Sequence, residues 1–211
     1  MTVRRRLLFV VGMGLVAALG AGCSNGSGQM MGRQSGSTTT PSESSGFSVS
    51  MMGSVPRGYH MSRLTCSAPT SLPGSTVHVI VGDMGMTSMM GGVAPLGGHM
   101  MLRAFPASVP TGQVSFVVGN MGWRTHEMVV LPLAPGQAAG QRTPGTDGKV
   151  DEAGSLGEAS ASCAAGSGDG IKPGSVGWVT VALPAGRYEL VCNLRNHYAN
   201  GMHQAFVVTG H

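Results

Sequence analysis

Charged residues make up only 10% of the 211-residue chain and aromatic residues 5%. Glycine and proline take much of the space they leave, 35 and 12 residues, so long helices are not expected. No apolar run reaches the roughly 20 residues that a membrane-spanning helix needs; the longest, Leu7 to Leu19, has 13. Serine-hydrolase elbow, phosphate-binding loop and zinc-protease motif are all missing, and no two cysteines stand at zinc-finger spacing, which leaves hydrolysis without support. His-x-His pairs are missing too, so a trinuclear copper cluster has no ligands. The 42% of hydrophobic residues suffices for one core, and the length for one domain with an appendage.

A net charge of +4 suggests nucleic acid at first sight. Three of the 13 basic residues, however, are Arg4, Arg5 and Arg6, which stand before the apolar run. From Cys23 onward ten basic residues face nine acidic ones without any cluster of Lys or Arg, so the electrostatic footprint of a nucleic-acid binder is absent.

Arg4 to Arg6, the apolar run, and the small residues Gly20, Ala21 and Gly22 before Cys23 have the layout of a signal peptide over residues 1–22. The run Leu19-Gly20-Ala21-Gly22-Cys23 resembles a bacterial lipobox, with Gly20 where that motif usually has Leu. The resemblance implies a lipid anchor on Cys23, and the alternative is ordinary secretion. Residues 23–62, rich in Ser, Gly and Thr, read as a flexible linker. The localisation expected is the cell envelope, on the outer face of the cytoplasmic membrane, or secretion.

From residue 63 to 211 short apolar stretches alternate with Pro/Gly turns, the pattern of an all-β sandwich. Strands are expected at Thr76 to Gly82, Met100 to Phe105, Gly112 to Gly119, His126 to Leu133, Gly177 to Leu183, Gly186 to Cys192 and Met202 to Thr209. Seven such strands suggest two antiparallel sheets with Greek-key connections. Between Ala134 and Ser175 the pattern lapses into a long Gly/Ala/Ser insertion with room for one short helix around Asp151 to Ala159, too long for a plain hairpin loop.

The segment Tyr188 to His203 carries the chemistry. It reads Cys-x4-His-x4-Met through Cys192, His197 and Met202, a spacing that a hairpin connection brings together. Upstream, a Gly/Asn turn at Gly119 to Gly122 leads to His126. Two imidazoles, one thiolate and one thioether are the donor set of a mononuclear blue copper site. Thiolate and imidazole suit both oxidation states, and a distant thioether favours the reduced one. Singly, each residue has a plain structural reading as core or turn; together they converge on a metal.

On these residues the chain resembles the cupredoxins over roughly residues 64–209, and the spacing is most like that of sulfocyanin and rusticyanin. The resemblance implies a Greek-key β-sandwich with one type 1 copper held by His126, Cys192, His197 and Met202. Many cupredoxins carry Asn or Ser directly after the first His; this chain has Glu127, whose carboxylate shifts potential or colour if it reaches the ligands. Tyr188 reads as a residue of a sheet corner, Val191 as core, and His203 as pointing away from Met202, toward solvent or a partner.

With Cys23 and Cys192 assigned, Cys66 and Cys163 remain. In an exported protein an even remainder reads as a disulfide, here one that staples the insertion to the start of the domain; free thiols or a second metal site are the alternatives. Methionine is the other signal, 16 in all. Met84, Met86, Met89 and Met90, with His99, Met100 and Met101, form either a Cu(I)-binding cluster or flexible packing.

The function expected is an extracytoplasmic electron carrier, not an enzyme, since Met202 in register leaves no open metal position. Its partners are redox proteins docked weakly and transiently and, through the lipid, the membrane; it is expected to be a monomer. The alternative is a copper-storage or delivery protein that uses the methionine-rich segments.

Overall fold

The computed structural model describes residues 62–83 and 93–210. The signal peptide, Cys23 and the linker up to residue 61 lie outside the described residues, as do Met84, Met86, Met89 and Met90. Among the described residues no helix is formed, and none is therefore long and apolar enough to cross a membrane.

Nine strands form two sheets: β1 Ser75–Asp83, β2 Met100–Phe105, β3 Ser108–Pro110, β4 Gly112–Asn120, β5 Met128–Pro132, β6 Gly157–Ala159, β7 Val176–Leu183, β8 Gly186–Val191 and β9 His203–Thr209. The four-stranded sheet has the order β2-β1-β4-β7 and the five-stranded sheet β3-β9-β8-β5-β6. The chain changes sheet at every connection from β2 to β8 except β5 to β6, as a Greek-key sandwich requires. Parallel pairs β1/β4 and β3/β9 result from these crossings.

Alternation decides what goes inside. Val77, Val79 and Val81 of β1, Val114, Phe116 and Val118 of β4, and Leu190 of β8 meet in one core with Phe206 and Val208 of β9. Phe116 and Phe206 bridge the two sheets edge to face, with ring centroids 5.2 Å apart. Two smaller clusters lie outside it. Val129, Leu131, Val191 and Tyr198 are covered by Val150 of the insertion, and Ile80, Met101 and Met121 by Leu64 of the N-terminal segment. Tyr188 donates its hydroxyl to Pro184 O at 2.7 Å, a tyrosine corner at the turn into β8.

The insertion forms no helix. Its residues 157–159 are strand β6, paired with Met128 to Val130 of β5, and glycine is needed at 157, where a Cβ would stand 2.3 Å from a Val181 methyl. A disulfide joins Cys66 to Cys163, tying the insertion to the N-terminal segment across 97 residues.

Candidate metal centre

Three pieces of chain converge at one end of the sandwich. The first is the turn between β4 and β5. Asn120, fully buried, donates from Nδ2 to Arg124 O and Ile171 O, both at 2.7 Å, and accepts from Gly122 N at 2.9 Å. His126 is then fixed to the insertion by both main-chain groups, its N–H to Ile171 O at 3.1 Å and its carbonyl from Ile171 N at 2.7 Å. Strand β5 therefore begins at Met128 and not at His126, because the N–H of Glu127 is directed at Cys192 Sγ, 3.3 Å away.

The second piece is the loop after β8, which ends at Val191 and leaves Cys192 just beyond it, wholly buried. Cys192 N donates to Met202 O at 3.0 Å and closes the neck of the loop, while Met202 N donates to His197 O at 3.2 Å. Within it His197 N reaches Leu194 O at 2.9 Å and Asn200 N reaches His197 O at 3.1 Å. The third piece, residues 93–99, holds the loop from outside: Asn196 Nδ2 donates to Ala94 O at 2.7 Å and Asn200 Nδ2 to Pro95 O at 2.9 Å.

The result is a triangle of donors. His126 Nδ1 and His197 Nδ1 are 3.1 Å apart, and Cys192 Sγ lies 3.3 Å from the second and 3.9 Å from the first. A trigonal site with metal–nitrogen bonds of about 2.0–2.1 Å and a metal–sulfur bond of about 2.3 Å separates its donors by roughly 3.5–3.8 Å. The triangle is of that size. His126, Cys192 and His197 are 0%, 0% and 5% exposed, and Met202, 0% exposed, lies in the same core cluster as Cys192. A buried thiol and two imidazole nitrogens, all within 4.8 Å of one another, fit a soft or borderline cation in a low coordination number.

Electrostatics favours a cation over protons on the rings. Burial, with the charges of His126 and Arg124, pushes His197 down to about 3. Burial also lowers His126, although the hydrogen bond and charge of Asp83 act the other way. The Cys192 thiol is pushed well up by burial and by the charge of Glu127, against the N–H groups of Glu127 and Leu194. Both rings thus stay neutral donors, and a metal ion must displace the thiol proton.

Glu127 does not reach the donors with its carboxylate. Oε1 accepts from Asn193 N at 3.1 Å, stitching the two ligand-bearing segments together, and burial, then the charge of Glu158, raises its pKa to about 7. Asn193 in turn accepts from Val150 N at 2.7 Å and donates to Val150 O and Glu152 Oε1, so the insertion is part of the wall.

The methionine segment is not assembled as a cluster in its described part. Met100 packs in the main core and Met101 in the separate group with Ile80 and Met121, since successive strand residues face opposite ways, and His99 is exposed. These two thioethers are packing. His203 does turn from Met202, but not to solvent: half-buried, it packs on Tyr198 with centroids 4.9 Å apart.

Sequence reasoning missed Asp83, which accepts a hydrogen bond from His126 Nε2 at 3.0 Å, and the buried Glu189, bonded by Tyr198 Oη at 2.9 Å and Arg142 Nε at 2.7 Å. Glu189 alternates with the core residues Tyr188 and Leu190 and so stands on the outer face of β8, where an acidic residue is ordinary and gives no signal; the insertion buries it. Asp83 directly precedes the methionine run from Met84 to Met90, and nothing local in the sequence pairs it with His126.

No protein-family model matches the chain, and no curated protein does. Among solved structures it is similar to reduced rusticyanin, with 20% identity and a TM-score of 0.37 over 65% of this chain and 82% of that one. Rusticyanin from Thiobacillus ferrooxidans gives 22% and 0.36 over 64% and 79%. Reduced auracyanin from the photosynthetic bacterium Roseiflexus castenholzii gives 16% and 0.38 over 64% and 98%. The chemistry of the centre is read from its own donors.

Proposed function

We propose that this protein is an exported blue copper protein of the cupredoxin kind that carries single electrons between membrane-associated redox partners. The convergence of His126 Nδ1, His197 Nδ1 and Cys192 Sγ, all three residues buried, within 4.8 Å carries this reading. These three, with Met202 beside them, would hold one copper ion, which would supply a one-electron couple. The chain's part is to fix the donors. His126 is bonded on both main-chain sides, Cys192 and Met202 are locked across the loop neck, and Asn196 and Asn200 tie the loop to residues 93–99. Donors that cannot move serve both oxidation states with little rearrangement.

Electron exchange takes place at the His197 end. Ala199 is exposed there, and Val93 and Leu96, 57% and 70% exposed, flank the segment that the loop leans on. A small apolar surface of this kind suits weak, short-lived docking. The Cys66–Cys163 disulfide supports export, because such bonds persist in oxidising compartments. A lipid on Cys23 and the linker would keep the domain near its partners.

The test is redox stoichiometry. Copper-loaded protein is expected to hold one copper per chain, to give a reversible one-electron wave, and to exchange electrons in stopped flow with small inorganic complexes, with Cys192→Ser silent in both. Protein that binds copper but is redox-inert, or that binds several Cu(I) ions, overturns the carrier reading and leaves storage or delivery.

A further inference from the structure

Asp83 is the last residue of β1 and is 2% exposed. Its Oδ1 accepts three hydrogen bonds: from Trp123 N at 2.9 Å, from Arg124 N at 3.1 Å and from His126 Nε2 at 3.0 Å. Its Oδ2 is buried without a hydrogen-bond partner. The surroundings are shaped to admit it. A Cβ at position 122 would stand 2.2 Å from Oδ1, so only glycine lets the turn pass over the carboxylate, and Asn120 holds that turn by Gly122 N and Arg124 O.

A backbone carbonyl would be enough to orient the ring; a carboxylate adds a full charge one imidazole away from the donor triangle. We propose that Asp83 is a positioning residue of the metal centre, which keeps the hydrogen of His126 on Nε2, leaves Nδ1 as a bare lone pair, and by its charge favours the more highly charged oxidation state of the metal. The inference rests on the copper reading above for its metal, and on the geometry alone for the tautomer. Carboxylate–histidine–metal arrangements raise the basicity of the ligand, and loss of such a partner typically costs about 10–100-fold in metal affinity. Because the carboxylate is buried, water does little to screen it.

Two measurements separate the parts. Asp83→Asn is nearly isosteric, and its amide oxygen can still accept the three hydrogen bonds, so it removes the charge and keeps the frame. In the copper-loaded variant the ratio of Cu(I) to Cu(II) affinity is expected to rise about tenfold over the unaltered protein, equivalent to about 59 mV in the potential. A blue variant with an unchanged ratio overturns the charge role and leaves Asp83 as structure only. In the unaltered metal-free protein, long-range 1H–15N correlations are expected to show His126 with its hydrogen on Nε2; a hydrogen on Nδ1 overturns the positioning role. The second measurement needs neither copper nor a variant. If the protein takes up no type 1 copper, the functional reading fails while the tautomer still decides for or against Asp83.

Discussion

Glu127 shows how one residue can serve a centre by its main chain and its side chain separately. Its N–H supports Cys192 Sγ, and any residue but proline could do that; its carboxyl joins Asn193 N, where an acceptor is required. Raised to about 7 from an ordinary 4.5, mainly by burial, the folded chain keeps a proton that the unfolded chain has released. Between pH 4.5 and 7 the unfolded state therefore binds fewer protons, and the contribution of Glu127 to stability falls as pH rises. Glu127→Gln removes that loss. Urea denaturation of the metal-free proteins is expected to show the variant gaining stability on the parent steadily from pH 4.5 to 7, whereas parallel profiles would mean that Glu127 titrates normally. At this scale Cys192, His197 and Met202 were legible because one loop holds all three at fixed spacing. Asp83 was not, since its partner His126 lies 43 residues on and only the pairing of β1 with β4 brings the two segments together.

Among the elements, the insertion between β5 and β7 was the least legible. Its low periodicity gave a loop with room for a helix, yet it contributes β6, the cover over Val129 and Leu131, and the outer wall of the centre through Asn193. Its anchoring is polar and buried. Glu189, 0% exposed, accepts from Arg142 Nε at 2.7 Å, Gly140 N at 2.6 Å and Tyr198 Oη at 2.9 Å, joining the insertion to β8 and to the residue after His197. Breaking a buried ion pair from one side leaves the other charge stranded, typically at a cost of about 3–5 kcal/mol. Arg142→Ala is expected to lose a cost at the lower end of that range in denaturant titration, because Arg142 is itself 16% exposed. A loss within the scatter of ordinary surface substitutions, about 0.5 kcal/mol, would mean that the insertion is not held by this pair. The regular strands, by contrast, were readable to within a residue or two from alternation alone: β2 has the expected bounds, and β1, β4 and β7 each gain one residue or two. Strands β3 and β6, three residues each, are too short to show a period.

At the scale of the molecule, short apolar stretches separated by Pro/Gly turns pointed to a β-sandwich, and the two sheets around Phe116 and Phe206 are that sandwich. The disulfide belongs to this scale because it closes most of the domain into one loop. Chain-entropy arguments give a closure of about 100 residues roughly 4.7 kcal/mol, and removal of native disulfides from small secreted domains typically costs about 2–5 kcal/mol. Cys66→Ser with Cys163→Ser is expected to lose stability in that range in thermal or denaturant unfolding while the metal centre keeps its spectrum, since neither cysteine is one of the donors; a lost spectrum in a folded variant would contradict this separation. The central claim, that a buried His/His/Cys triangle with Met202 holds a type 1 copper, is met most directly by visible absorption and electron paramagnetic resonance of the copper(II)-loaded protein. The account predicts an intense orange-red absorption band and a narrow copper hyperfine splitting, both lost in Cys192→Ser. A weak band with the wide splitting of ordinary tetragonal copper(II), or a spectrum that survives the loss of Cys192, would contradict it.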